Sequence, residues 1–446
     1  MDNGQKMVYN IIKFPHDVQK RADREAYMYR TPRGTQDILP EDQPYWRFLQ
    51  VLIHRLCQIY GYQQIETPLF EETPLFVRGI GEGTDIVEKE MYTFEDKGGE
   101  SLTLRPEGTA PVMRAYLEHG MQVLPKPIKL YYIVPLFRYE RPQAGRYRQH
   151  YQFGVEVIGE QDPAVDLEVI SIAWHLYQEI GLNGLNIQLN SIGCPRCRPD
   201  YVKALVEYYQ EHEGEICADC KVRLKRNPLR LLDCKDEGCQ AIIEGAPRSI
   251  DHLCADCRQH FETLRSYLDL MGLPYDINHR LVRGLDYYTK TVFEFWAGGI
   301  GVQNALGGGG RYDGLIEELG GEPTPGIGFG LGMERIILTM KEQGINVPEL
   351  PSPRVFIAHR GDAAKRIGLK LLASLRAAGV GAVFAFGDRS LKTQMRQADG
   401  AGVDFTLILG EREIESGQVA VRAMANGEQF EVGMDDVVNW LSERIL

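Results

Sequence analysis

Residues 131–159 read YYIVPLFRYERPQAGRYRQHYQFGVEVIG, two alternating runs around a polar loop at 141–148. Side chains on a strand alternate with period two. The first run therefore puts Val134, Leu136, Arg138 and Glu140 on one face. The second puts His150, Gln152, Gly154 and Glu156 on one face, and Tyr151, Phe153, Val155 and Val157 on the other, where they belong to a core. One sheet face then presents Arg138, Gln152 and Glu156 around a glycine gap. That set suits a ligand carrying both a phosphate and an amine, with the guanidinium for the first and the carboxylate and amide for the second. Arg138, Arg141, Arg146 and Arg148 crowd together with Tyr147 among them. Such a loop has the chemistry of a nucleic-acid finger; the competing reading is a solvated hairpin with surface ion pairs.

Four further segments add to this one. In LTLRPEGT, 102–109, a strand stops at Pro106 and Glu107 precedes a helix over Thr109–His119 that Thr109 can cap. In LVRGLDYYTKTVFEFW, 281–296, Arg283 stands before a turn at Gly284, and a strand carries Tyr287 and Tyr288, one toward the core and one away. LGGGGRYDGL, 306–315, is followed by GIGFGLGMER, 326–335. Glycines at 326, 328, 330 and 332 strip one strand face bare, so that a flat ring or a phosphate chain can lie against the backbone. In RSLKTQMRQADG, 389–400, the spacing places Arg389, Lys392 and Arg396 on one helix face, which by itself reads as a solvated face.

The whole chain has 446 residues, a formal net charge of −12, 43% hydrophobic and 25% charged residues. The length suggests about three domains, and the composition excludes a disordered or collagen-like chain. No stretch approaches the ~18 apolar residues of a membrane span. The first 30 residues lack an apolar signal core, so the expected compartment is the cytoplasm. The acidic balance argues against indiscriminate coating of nucleic acid and leaves room for a local basic groove. A GxxxxGK P-loop is absent.

Residues 1–28 read as an extension, either disordered or reflecting a start codon upstream of Met28. A helix is expected at 41–60 and a strand at 62–67. Antiparallel strands with one helix fill 101–159. Pro348, Pro351 and Pro353 mark a linker. Beyond it the pattern predicts an α/β module with a mostly parallel sheet: strand 354–359, helix 362–377, strand 380–386, helix 389–398, strand 403–409, a hairpin at 418–432 and helix 434–445. Of nine cysteines, eight cluster in 194–257 as Cys194/Cys197, Cys217/Cys220, Cys234/Cys239 and Cys254/Cys257. In a reducing compartment such clustering points to metal before disulfides.

From about Arg30 to Leu446 these segments resemble the histidyl-tRNA synthetases, a family of class IIa aminoacyl-tRNA synthetases. RTPRGTQDILP at 30–40 resembles the family's start and GYQQIETPLFEETPLF at 61–76 its motif 1, with Pro68 as the hallmark proline. FRYERPQAGRYRQHYQFGVEVIG resembles motif 2, LVRGLDYYTKTVFEF the histidine-specific motif, and GIGFGLGMERI motif 3. The resemblance implies an α+β catalytic core on an antiparallel sheet (29–190 and 273–347). It also implies a helical, Cys-rich insertion (191–272) and a C-terminal α/β anticodon-binding domain (352–446).

The implied activity is ATP-dependent formation of histidyl adenylate, followed by transfer of histidine to tRNA(His), by a cytoplasmic homodimer. Arg138 would hold the ATP α-phosphate and Arg335 the γ-phosphate, with Mg²⁺ on the nucleotide. Glu107, Thr109 and Gln152 would bind the histidine amino group. Glu156 and Tyr288 would read the imidazole, and Tyr287 and Tyr312 would line its pocket. Arg283 would stabilise the charge that develops at the α-phosphate. Arg141, Arg146 and Tyr147 would meet the acceptor stem of the tRNA, and Arg389, Lys392 and Arg396 would lie in the domain that meets the anticodon. The cysteines are outside the family's general pattern, and relatives that carry the insertion without them imply that metal is not required for catalysis. One zinc site is expected from Cys217 and Cys220 with Cys254 and Cys257, and a second from Cys194 and Cys197 with Cys234 and Cys239. A regulatory paralogue, the ATP phosphoribosyltransferase subunit, is disfavoured by Arg283 and by the intact 354–446 module. A class II synthetase for another amino acid is disfavoured by LVRGLDYYT.

Overall fold

The computed structural model describes residues 29–81, 83–298 and 305–445; the expectations for 1–28 lie outside the described residues. The chain divides into two compact units, one holding Thr31–Ile38 and Tyr45–Pro348, the other built mainly from the residues after Glu349.

The first unit centres on an eight-stranded sheet. Its spatial order is Gln63–Gln64, Ile128–Phe137, Gln149–Ile158, Gly326–Gly332, Ala305–Arg311, Thr289–Trp296, Asn186–Ser191 and Tyr275–Ile277. The six inner strands pair antiparallel, and the short strand at each edge pairs parallel. The expected strand at 62–67 shrinks to Gln63–Gln64, with one further backbone bond from Ile65 N to the Tyr131 carbonyl at 2.9 Å.

Both faces of this sheet are covered. Phe153, Val155 and Val157 pack with Val169, Ile172 and Leu176 of the Pro163–Ile180 helix, as the alternation requires. The opposite face is also core: Tyr132, Val134 and Leu136 pack against Val112, Met113 and Tyr116 of the Thr109–Glu118 helix. The glycine gap at Gly154 is therefore filled. Tyr132 stands opposite it in register, and a Cβ at Gly154 would come within 2.2 Å of the Tyr132 ring. The alternate glycines of Gly326–Gly332 likewise make room for protein. A Cβ at Gly326 would meet Tyr312, one at Gly328 the Glu156 carboxylate and one at Gly330 the Gln152 amide.

A buried ion pair locks the sheet to its helices. Arg311 donates to Asp166 at 2.8 and 2.6 Å, and both side chains are fully buried. His260, on the Ala255–Leu270 helix, meets the other Asp166 oxygen at 3.1 Å. Burial pushes the Asp166 carboxyl up, but Arg311 and His260 outweigh it and hold the group below its ordinary value.

Between Ser191 and Tyr275 the chain leaves the sheet as a helical block: Arg198–Glu211, Ala218–Arg226, Glu237–Glu244 and Ala255–Leu270. The second unit has a five-stranded sheet in the order Ala382–Phe384, Val355–His359, Phe405–Leu409, Gln418–Ala423, Gln429–Gly433. Its first three strands are parallel and its last two antiparallel, so it is half parallel rather than mostly parallel. A short helix, Glu411–Ser416, precedes the hairpin and was not apparent from the pattern.

Gly154→Ala is expected to destabilise the first unit by about 1–3 kcal/mol, because the rigid, buried Tyr132 ring cannot yield. Urea denaturation measures this. An unchanged midpoint would show that the ring can move aside.

Candidate active site

A cleft of about 240 Å³ opens where the Gln149–Ile158 strand, the Gly326–Gly332 strand and the 281–288 segment converge. Four arginines border it: Arg138, Arg146, Arg283 and Arg335. Each is anchored by backbone or by a carboxylate. The strand ends at Phe137, so Arg138 lies just past it, not within the alternating face; its Nε donates to the Pro106 carbonyl at 2.7 Å. Arg335 donates to the carbonyls of Gly145, at 3.2 Å, and Ala305, at 2.6 Å. Arg146 pairs with Glu140 at 3.5 Å. Arg283 pairs with Glu294, and its Nε is buried without a partner among the described residues. Four guanidiniums against three carboxyl groups, Glu140, Glu294 and Glu334, leave a positive cleft in an acidic protein, which suits a polyphosphate.

Glu156 shares a strand face with Gln152, which lines the cleft. This carboxyl is buried and accepts from Thr109 Oγ1 at 2.8 Å, Tyr132 OH at 3.0 Å and Tyr312 OH at 2.5 Å. Burial pushes it up to about 8, against the lowering effect of its hydrogen bonds. Nearby, burial pushes Glu334 up to about 7, although it accepts from the Tyr151 amide at 2.9 and 3.0 Å. Burial and the neighbouring Arg138 hold His150 neutral, down at about 3.

Glu107 is also buried, and its carboxylate caps the Thr109–Glu118 helix through the amides of Thr109, at 2.7 Å, and Ala110, at 2.9 Å. The cap is thus Glu107 and not the expected Thr109, whose hydroxyl turns to Glu156 instead. Tyr287 OH reaches Glu107 at 3.5 Å. The two tyrosines do not alternate as expected. They lie on the turn before the Thr289–Trp296 strand, so both are buried, with ring centroids 4.7 Å apart.

The 141–148 loop folds back at a turn bridging Gln143 and Arg146. Arg141 is exposed, whereas Arg146 and Tyr147 line the cleft. In the second unit, Ser390 caps the Leu391–Gly400 helix, so Arg389 precedes the helix and only Lys392 and Arg396 share its face. All three are exposed, close in sequence to Phe386, an aromatic left 73% exposed that sequence reading did not single out. Sequence reading also passed over Glu294 and Tyr132. The alternation of 289–296 and the register of Tyr132 opposite Gly154 were the available signals.

The cysteine pairing differs from the expected one. The structure gathers Cys194, Cys197, Cys254 and Cys257 in one cluster, and Cys217, Cys220, Cys234 and Cys239 in another. The Ala255–Leu270 helix packs on the Pro163–Ile180 helix beside the sheet, which carries Cys254 and Cys257 to the start of the insertion rather than to its middle.

Residues 34–336 match the family model described as histidyl-tRNA synthetase, and residues 354–444 match the anticodon binding domain. The chain belongs to the histidyl-tRNA synthetase family. A histidine–tRNA ligase of Dehalococcoides mccartyi is 56% identical over 94% of this chain and 100% of its own. One from Desulforamulus reducens is 53% identical over 93% and 99%. The apo histidyl-tRNA synthetase of Staphylococcus aureus superposes with a TM-score of 0.78 at 42% identity, covering 93% of this chain and 100% of that one. A Bacillus halodurans protein titled ATP phosphoribosyltransferase regulatory subunit/histidyl-tRNA synthetase shares the fold, at 22% identity and a TM-score of 0.60. Synthetases of this family use ATP with Mg²⁺.

The raised Glu156 carboxyl has a signature in stability. The folded state keeps a proton that the unfolded chain has released, so this group's contribution falls as pH rises from its ordinary value toward about 8. Between about pH 5.5 and pH 8, the urea midpoint of the wild type is expected to fall more steeply than that of Glu156→Gln. Parallel slopes would mean that Glu156 is ionised in the fold.

Proposed function

We propose that this cleft condenses L-histidine with ATP through the side chains described above. The chain is a histidine–tRNA ligase: it forms histidyl adenylate, releases pyrophosphate, and transfers histidine to tRNA(His). The observation that carries the assignment of roles is a four-arginine rim in one cleft with Gln152, on the strand whose same face bears the buried, hydrogen-bonded Glu156.

Arg138 takes the α-phosphate and Arg335 the γ-phosphate, with Mg²⁺ entering as the counter-ion of ATP. Glu107, Thr109 and Gln152 receive the histidine amino group. Thr109 donates to Glu156, Gln152 lines the cleft, and Glu107 brings a carboxylate already oriented by its helix cap. Glu156 and Tyr288 read the imidazole, and Tyr287 and Tyr312 wall the pocket. A carboxyl that titrates near neutrality can donate to or accept from an imidazole, which changes charge in the same range. The histidine carboxylate attacks the α-phosphorus, pyrophosphate leaves, and Arg283 stabilises the added charge on the phosphoryl oxygens. A fixed, partly desolvated guanidinium is worth more there than one in water. The protein forms no covalent intermediate in this scheme.

Arg141, Arg146 and Tyr147 are assigned to the acceptor end of the tRNA, and Arg389, Lys392 and Arg396 to the anticodon side. A homodimer in the cytoplasm completes the reading. Exposed Leu69, Phe70 and Phe94 beside a groove of about 1090 Å³ at the 66–78 segment support dimerisation there. No helix among the described residues is long and apolar enough to cross a membrane. The domain limits proposed are 29–190 with 273–347, 191–272, and 352–446.

ATP–pyrophosphate exchange with each of the twenty amino acids tests the activity. Exchange is expected with histidine alone, and none with any amino acid from a folded protein would overturn it. Arg283→Ala is expected to lower exchange by about 10²–10³ while the dimer persists on gel filtration. Unchanged turnover would remove Arg283 from its role. Replacing Arg389, Lys392 and Arg396 together with Ala should raise KM for tRNA and flatten its salt dependence, leaving exchange untouched. A lowered exchange rate would contradict a purely tRNA-binding role.

A further inference from the structure

The eight clustered cysteines stand at distances that their role as packed thiols does not require. In the first cluster the Sγ atoms of Cys194 and Cys197 are 3.8 Å apart, those of Cys194 and Cys254 3.9 Å, and those of Cys197 and Cys257 3.9 Å. In the second, Cys217 and Cys234 are 3.8 Å apart and Cys220 and Cys239 4.0 Å. Four thiolates at 2.3 Å from a tetrahedral zinc ion lie ~3.8 Å from one another. No disulfide has this spacing, and an iron–sulfur cubane holds its thiolates farther apart. Backbone amides point at the sulfurs as they do around thiolates: Cys194 N donates to Cys197 Sγ and Cys217 N to Cys239 Sγ, each at 3.3 Å.

Each cluster reaches the catalytic loop through a neighbour in sequence. Arg198, directly after Cys197, donates to the Tyr288 carbonyl. In the 221–233 segment, enclosed by the second cluster, Asn227 donates to Asp286 at 3.0 Å. In the same segment Arg230 pairs with Asp85 at 3.2 Å, and its Nη1 would lie 3.4 Å from a Cβ at Gly284. The 283–288 loop, which carries Arg283 and the two tyrosines, is therefore held from two sides.

We propose that the insertion binds two zinc ions, one per tetrathiolate cluster, and that together they brace the 283–288 loop. The thiol protons leave to solvent as the ions bind. The first ion pins the start and end of the insertion to each other beside the sheet. The second closes the 221–233 segment and makes Arg230 and Asn227 rigid supports for the Arg283 loop. Arg230 is a positioning residue and touches no substrate. The bracing half rests on the catalytic reading of Arg283; the metal half does not.

Untagged protein, purified in reductant without chelator, is expected to carry two equivalents of zinc by elemental analysis. Cys197→Ser and Cys220→Ser should each retain one. Should a variant fail to fold, mercurial titration of the wild type with colorimetric zinc detection should release two equivalents, and cobalt-substituted protein should show tetrahedral thiolate bands. Less than one equivalent of zinc, or iron in its place, overturns the metal centres. Arg230→Ala should keep both ions and lower kcat for histidine-dependent exchange about tenfold with little change in KM, and Arg230→Lys should restore part of it. Two zinc ions in the wild type, with kcat unchanged both in Arg230→Ala and in the one-zinc Cys220→Ser, overturn the bracing alone. If Arg283→Ala itself has no effect, the catalytic reading fails while the zinc count stands.

Discussion

The cleft depends on one buried carboxyl accepting three hydroxyls from three different elements. Thr109 comes from the first turn of a helix, Tyr132 from the neighbouring strand and Tyr312 from the end of a glycine strand. Burying such a group is unfavourable unless its oxygens are satisfied. Once satisfied, it fixes the helix, strand and turn relative to one another. The glycines follow from this requirement. Gly328 lies where any side chain would strike the Glu156 carboxylate, and Gly154 lies where one would strike the tyrosine that donates to it.

Strand alternation in 131–159 was enough to separate the face of Phe153, Val155 and Val157 from the face bearing Gln152 and Glu156, because period two is a local property, but it did not show that a helix covers the second face too. The helix over 362–377 was legible for the same reason. The purpose of the glycines was not. A run of alternating glycines announces that something large lies against the strand, but whether that is ligand or protein depends on which strand pairs with it, and Gly328 meets Glu156 across 172 residues of sequence (328 − 156). The cysteine pairing failed in the same way. Spacing identifies CxxC pairs, yet which pairs meet is decided by how the Ala255–Leu270 helix packs on the sheet. The tyrosine pair 287–288 was misread because the strand starts after it, a boundary error that reverses the expected facing.

Electrostatics reconcile the acidic chain with its polyanionic substrates. The net charge of −12 is a property of the whole surface, whereas Arg138, Arg146, Arg283 and Arg335 concentrate positive potential in one concave place, where field lines are focused. Glu140 and Glu294 hold two of these cations in position without neutralising the group. Preformed positions of this kind mean that little reorganisation is needed as charge moves from carboxylate to phosphoryl oxygen.

The strand pairing that closes the cleft also sets when the molecule can exist. Gln149–Ile158 is hydrogen-bonded on one side to a strand made just before it and on the other to Gly326–Gly332. During synthesis the 167 residues from 159 to 325 must emerge before that second side is covered. At 5–20 residues per second, this interval lasts roughly ten to thirty seconds. Throughout it the nascent chain carries an open sheet edge, the kind of surface that pairs with strangers. The polar residues of that edge, Gln149, His150, Gln152 and Glu156, interrupt its apolar run and so guard the unfinished chain, and two of them, His150 and Gln152, later line the cleft.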